Sequence, residues 1–242
     1  MRYALISDIH SNIEAFESVL ADIDAQKADR LLFLGDIIGY GPNPNECVAK
    51  LLQVADLSLG GNHDWAVVGK TPDDYFNPFA KEAVDWTGRV LREDHRDFLK
   101  RTRAADTFDG FQVAHSTPFA PEEWRYIMSQ KEAVENYSSL VLPVCFIGHS
   151  HQPLVIEYDG PETLKVSREQ VFTLDPAKKY IINIGSVGQP RDANPHSCWA
   201  MYDSDEGTVT FHRVPYDIQA VQRKMADVGL PRYLIDRLAV GR

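Results

Sequence analysis

Cysteine is scarce: Cys47, Cys145 and Cys198 are the three in 242 residues. An odd number in no CxxC spacing rules against a disulfide framework and suits free buried thiols in a reducing cytoplasm, and no functional role is given to any of them. Long apolar runs are also missing. An aspartate arrives at position 8, too early for the apolar stretch of a secretory leader, and no segment approaches the roughly 20 residues that span a bilayer. The expectation is a cytoplasmic protein with no membrane partner. Basic residues are outnumbered, 25 Lys and Arg against 35 Asp and Glu, for a formal net charge of −10. Such a surface argues against strong nucleic-acid binding, which needs clustered Lys and Arg, though a bound metal would create a local positive site. Repeats, low-complexity tracts and Ser/Gly/Pro linkers are absent as well. The length allows one large domain or two small ones, and the reading is a single domain over residues 1–242. Oligomeric state is left open.

What the chain does contain is a set of short apolar runs that end on glycine or polar residues. Leu31-Leu32-Phe33-Leu34 stops at Gly35-Asp36, and Tyr3-Ala4-Leu5-Ile6 leads into Ser7-Asp8-Ile9-His10. Leu57-Ser58-Leu59 leads into Gly60-Gly61-Asn62-His63-Asp64, Phe111-Gln112-Val113-Ala114 into His115, and Val144-Cys145-Phe146-Ile147 into Gly148-His149-Ser150-His151. Runs of this kind read as buried strands, and the carboxyl ends of strands in open sheets are where ligands bind.

Between the first strands, Ser11 and Asn12 offer N-caps for a helix over 13–20, and a second helix is expected over 45–52, so the βαβ unit is repeated and parallel pairing follows. Residues 65–105 carry a helical pattern with loop signals at Thr71-Pro72 and Asn77-Pro78; they read as a helical insertion covering one side of the site. Beyond Phe111 the chain reads mostly as β, with strands over 154–158, 163–166, 171–174, 180–184, 198–202 and 208–214. A turn at Asp159-Gly160-Pro161, one helical run over 218–228 and a short tail from Pro231 complete it.

Asp8 and His10 are two apart, which in extended chain sends both side chains to one side, and His149 and His151 repeat the spacing. With Asp36, Asn62 and His115 they make seven oxygen or nitrogen donors, too many for one ion and suited to two that share a carboxylate. Such donors without thiolate favour Mn, Fe, Co, Ni or Zn. Two divalent ions outweigh the charge of Asp8 and Asp36, so even with a bridging hydroxide the mouth stays positive and attracts an anionic substrate.

These motifs, Asp8-x-His10, Gly35-Asp36, Gly61-Asn62-His63-Asp64, His115 and Gly148-His149-x-His151, resemble in order the five motifs of the calcineurin-like metallophosphoesterase superfamily. The stretch from Asn183 through Gly185, Gly188 and Arg191 resembles its small bacterial phosphoesterase branch. The resemblance implies an α/β fold, a four-layer α/β/β/α sandwich of two mixed sheets flanked by helices. It implies that Asp8, His10, Asp36 and His151 hold one metal, that Asp36 bridges, and that Asn62, His115 and His149 complete the second. His63 would stay off the metals and act on the phosphoryl group as acid or hydrogen-bond donor, and Asp64 would orient it. The implied reaction is attack by a metal-bridging hydroxide on a phosphodiester or phosphoanhydride of a small substrate, with a nucleotide the first choice. A phosphomonoesterase and a non-catalytic protein-binding scaffold are the alternatives.

One departure bears on substrate. Where the family's phosphoprotein phosphatases carry Asp-Arg-Gly after the second motif, this chain has Gly39-Tyr40-Gly41, so the arginine that grips phosphate is missing and Arg191 is the substitute candidate, with a solvated loop arginine as the alternative. Trp65, Phe76, Phe79 and Trp86 read either as core of the insertion or as a base-stacking surface. His95, His196 and His212 read as structural or solvated.

Overall fold

The structure, a computed structural model, describes residues 1–160 and 164–242; Pro161 of the expected turn and Thr163 of the expected 163–166 strand lie outside the described residues. In chain order the first half runs β1 (Arg2–Ile6), α1 (Ile13–Gln26), β2 (Arg30–Phe33), α2 (Pro44–Val54), β3 (Leu57–Ser58), α3 (Asn62–Val67), α4 (Pro78–Val90), α5 (Glu93–Arg101), β4 (Ala105–Phe108) and β5 (Phe111–Ala114). The second half runs α6 (Gln130–Ser138), β6 (Val144–Ile147), β7 (Leu154–Tyr158), β8 (Leu164–Ser167), β9 (Val171–Thr173), β10 (Lys179–Asn183), β11 (Ser197–Asp203), β12 (Thr208–Val214), α7 (Ile218–Asp227) and α8 (Arg232–Arg237).

The strands form two six-stranded mixed sheets, ordered β3-β2-β1-β11-β12-β9 and β4-β5-β6-β10-β7-β8. In the first, β1, β2 and β3 run parallel, with Ala4 opposite Leu31 and Ile6 opposite Phe33. In the second, β5, β6 and β10 do the same. The remaining pairings are antiparallel.

Alternation along β1 shows why both faces of the first sheet are covered. Tyr3 and Leu5 point to one face and pack with Leu32, Leu34, Phe111, Phe146 and Ile182 between the two sheets. Ala4 and Ile6 point to the other and pack with Leu31, Phe33 and with Phe16, Val19, Cys47 and Leu51 of α1 and α2. A strand buried on both sides reads as a continuous apolar run rather than an alternating one. On the far face of the second sheet, Cys145, Ile147 and Ile181 pack with Ala133 and Tyr137 of α6, which completes four layers. Phe146 is fully buried in the inter-sheet core, and truncating it to alanine would cost about 3–5 kcal/mol.

Among the elements that depart from the sequence expectation are α6 and β4. Helix α6, capped by Ser129 Oγ accepting the Glu132 N–H, falls where a mostly β half was expected. It is short, and its buried side is only Ala133, Asn136 and Tyr137, too thin a stripe to show a helical period. Strand β4 pairs with β5 across the Asp109-Gly110 turn, in which both residues have positive φ. Asn12 is the cap that α1 uses: its Oδ1 accepts the Ala15 N–H at 3.0 Å while its Nδ2 donates to the Gly188 carbonyl at 2.9 Å, tying the helix to the late 185–191 loop. No helix among the described residues is long and apolar enough to cross a membrane.

Candidate metal centre

The ends of β1, β2, β3, β5 and β6 converge, and every donor proposed from the sequence is buried where they meet. Asp8, His10, Asp36, Asn62, His115, His149 and His151 are each 5 % exposed or less. Asp8, His10 and His151 form one group whose ligand atoms lie within 4.8 Å of one another, Asp36, His115 and His149 a second, and His10, Asp36 and His63 a third.

Convergence is not achieved by strand alternation. Asp8, His10, Asp36, His149 and His151 all have positive φ, between 49° and 66°, so the extended backbone expected for Asp8-x-His10 and His149-x-His151 is replaced by left-handed turns. Left-handed φ is uncommon for residues with a Cβ and costs of order 1–3 kcal/mol each, so surrounding bonds must over-determine it. They do here: the Asp8 N–H donates to Gly35 O at 2.9 Å, the His10 N–H to Asp36 O at 3.0 Å and the His149 N–H to Asp8 Oδ2 at 3.0 Å. Gly61 has no side chain because a Cβ there would collide with the Asp36 carboxylate.

Four histidines are held by backbone carbonyls. His10 Nδ1 meets Ile38 O at 3.1 Å, His115 Nδ1 meets Leu34 O at 2.8 Å and His151 Nδ1 meets Gln189 O at 2.5 Å. His149 uses its other nitrogen, Nε2 to Trp124 O at 2.9 Å. A carbonyl only accepts, so each of these ring nitrogens carries the proton and donates, leaving the opposite nitrogen of a neutral ring with its lone pair directed inward. The inward atoms crowd: His10 Nε2 is 3.2 Å from His151 Nε2, His151 Nε2 is 3.2 Å from Asp8 Oδ1, and His115 Nε2 is 3.4 Å from Asp36 Oδ2 and 3.3 Å from Asn62 Oδ1. Asp8 Oδ1 is buried without a hydrogen bond. The inward lone pairs of His10, His149 and His151, that of His115 once its proton has left, and an orphaned carboxylate oxygen fit a cation bound in their midst.

Charge follows the same geometry. Burial, with His115 nearby, lowers His149 to about 3, and burial lowers His63 to about 4 although Asp36 opposes it. For His115 burial also disfavours the charge, but Asp36 and Asp8 outweigh it and raise the group to about 9.

His63 shares a donor group with His10 and Asp36, and its surroundings are distinct. Its backbone N–H donates to Asp36 Oδ1 at 2.9 Å, its ring stacks on Phe76 at 4.6 Å and lies 4.3 Å from the Tyr40 ring, and its Nδ1 is buried without a partner. That nitrogen faces Gly39, where φ is +87° and a Cβ would stand 2.7 Å away. The expected orienting contact from Asp64 is not made. Asp64 instead accepts backbone N–H groups from Asp36 at 2.8 Å, Ile37 at 3.3 Å, Ile38 at 3.1 Å and Gly61 at 3.0 Å. Those amides, freed by the turns after β2 and β3, need an acceptor more than the ring does.

The centre opens into a cavity of 390 Å³ lined by Asp36, Asn62, His63, His149 and His151 and by Tyr40, Tyr75, Phe76, Tyr126, Arg191 and Arg237 among others. Arg191 is therefore at the mouth. Of the four aromatics left open by the sequence, Phe76 lines the cavity, Trp65 is buried against Trp124, Trp86 packs on the cluster that includes Tyr40 and Leu234, and Phe79 is exposed and stacks on Tyr233. His95 is buried with Nδ1 3.0 Å from Asn45 Oδ1, a structural role. Sequence reading overlooked Tyr40 and Arg237. Tyr40 stood in plain view as the residue between Gly39 and Gly41; Arg237, in a short tail, carried no signal of its burial.

Residues 1–207 match the calcineurin-like phosphoesterase superfamily domain. The chain belongs to that superfamily. It is 40% identical over 244 residues to an uncharacterised protein of Methanocaldococcus jannaschii, covering 99% of this chain and 98% of that one. It is also 40% identical to a metallophosphoesterase from Sphaerobacter thermophilus of solved structure, with a TM-score of 0.87 and coverage of 100% and 99%. A hypothetical protein of Pyrococcus horikoshii shares the fold at 17% identity, TM-score 0.80, with coverage of 100% and 98%. As a member of this metal-dependent family the chain is a phosphoric ester hydrolase, and the two mixed sheets flanked by helices are the architecture of its relatives.

Proposed function

We propose that the protein is a dinuclear metallophosphoesterase that hydrolyses a phosphodiester or phosphoanhydride bond of a small nucleotide. Asp8, His10, Asp36 and His151 would hold one transition ion and Asn62, His115 and His149 the other, with Asp36 shared. The observation that carries this reading is the set of histidine nitrogens turned inward by carbonyl-bound opposite nitrogens, beside the unpartnered Asp8 Oδ1. The ions, manganese being one candidate, would supply Lewis acidity toward the phosphoryl oxygens and an activated water.

The chain's own residues do the rest. His63, whose ring is clamped between Phe76 and Tyr40 and lines the cavity, donates a hydrogen bond or proton to an oxygen that gains charge. Asp64 supports this at one remove by holding the backbone of Asp36 and Gly61. Arg191 contacts substrate phosphate, and Tyr75 and Phe76, from the 65–105 insertion, shape the cavity and select the substrate. The chain works as a single domain over residues 1–242, and its three buried free thiols suit the cytoplasm.

A hydrolysis screen of manganese-loaded protein against aryl phosphodiester, mononucleotides, cyclic nucleotides and dinucleoside polyphosphates tests the proposal. Turnover of diesters or anhydrides above monoesters is expected. Preference for monoesters would make it a phosphomonoesterase, and absence of turnover with metal bound would favour the scaffold reading.

A further inference from the structure

Arg237 lies on α8, beyond the residues matched to the family, yet it reaches the cavity that serves the centre. It is only 9 % exposed. Its guanidinium carbon sits 4.8 Å from the ring centre of Tyr40 and 5.6 Å from that of Tyr233, and its Nε and Nη2 are buried without a hydrogen bond. Arg191 reaches the same Tyr40 ring at 5.8 Å. Its Nη2 donates to Tyr40 Oη at 3.4 Å and Gln189 Oε1 at 3.1 Å, and its Nε is likewise buried and unbonded.

Neither guanidinium is paired with a carboxylate among the described residues, although acidic residues outnumber basic ones in the chain. Arginine stays protonated in proteins, so two like charges meet over one tyrosine ring at the cavity, Arg237 buried and Arg191 half-buried. Contact with two tyrosine faces returns less than desolvating a guanidinium costs, and a purely structural arginine would have its donors satisfied. Free forked donors match the paired oxygens of a phosphoryl group. Tyr40 also adjoins the metal centre, its ring 4.6 Å from His10 and 4.3 Å from His63.

The geometry points to a second anion subsite, formed by Arg237 with Arg191 over the Tyr40 ring, that takes a phosphoryl group other than the one being cleaved. The substrate class is thereby a compound with at least two phosphoryl groups in close succession, a nucleoside or dinucleoside polyphosphate. This rests on the hydrolase reading above for its function but on separate residues for its existence.

Calorimetric titration with imidodiphosphate, whose P–N–P link resists hydrolysis, and with inorganic phosphate tests the subsite on protein as purified and after manganese loading. Wild type should prefer imidodiphosphate, and Arg237→Gln should weaken that ligand about tenfold or more while narrowing the preference. Arg237→Lys, which keeps charge but loses the fork, should narrow it by a smaller factor and serves if the glutamine variant does not fold. In steady state, Arg237→Gln should raise KM for a dinucleoside tetraphosphate about tenfold more than KM for nitrophenyl phosphate. No preference in wild type, an equal loss for both ligands, or an unchanged preference in Arg237→Lys overturns the subsite. A wild type that hydrolyses nothing yet prefers imidodiphosphate would sink the hydrolase reading and leave the subsite standing.

Discussion

The Nε2 atoms of His10 and His151 face each other at 3.2 Å, while the opposite nitrogens donate to Ile38 and Gln189 carbonyls. That spacing is about the separation of two nitrogens held roughly 2.0–2.1 Å from one ion.

Metal content follows from the sharing of Asp36. Loaded protein should hold about two transition ions per chain by elemental analysis; Asp36→Asn should weaken both, and His115→Ala should mainly empty one. A wild type that retains a single ion after loading contradicts the division of ligands.

Replacing His63, whose ring lies between Phe76 and Tyr40, tests whether it serves chemistry or metal binding. His63→Ala should keep both ions and a nearly unchanged KM and lose about 10²–10³ in kcat. If the ring is the general acid, the loss should shrink for nitrophenolate leaving groups. Loss of an ion in this variant would instead make His63 a ligand, which its place beside His10 and Asp36 makes a pointed test.

Asp64 accepts four buried backbone amides, so Asp64→Ala should destabilise the fold by about 3 kcal/mol or more, each stranded donor costing about 1–3 kcal/mol. Urea unfolding measures this. A variant of wild-type stability but low turnover would restore the direct catalytic role that the geometry does not provide.

The metal-free protein should be most stable near the ordinary imidazole pKa of about 6.5. Below it, the unfolded chain takes up protons that His63 and His149 refuse until about 4 and about 3, so stability falls as pH drops across that window. Above it, His115 holds its proton to about 9 in the fold, so that contribution, complete below 6.5, is lost as pH rises through 9. Urea midpoints at pH 4.5 and 9.5 should both lie below that at 6.5. Metal uptake at pH 7.5 should release a proton as His115 ligates; uptake without release would count against His115 as a ligand.

The sequence by itself determined most of the strands, the candidate donors at their ends and the family resemblance, because apolar runs that stop on Gly, Asp and His are local patterns that survive without coordinates. It also carried α1 through its cap and periodicity, and the helical run of α2. Tertiary structure alone decided how the donors converge, since left-handed φ at Asp8 and His10 depends on amides answered by Gly35 and Asp36 from another strand. It alone turned the histidines, through carbonyls far along the chain, and gave Asp64 to backbone amides rather than to its neighbour His63. It alone brought Arg237 from the tail to the cavity. Each of these is a long-range hydrogen bond or packing contact, a property of where the chain returns rather than of which residues stand side by side.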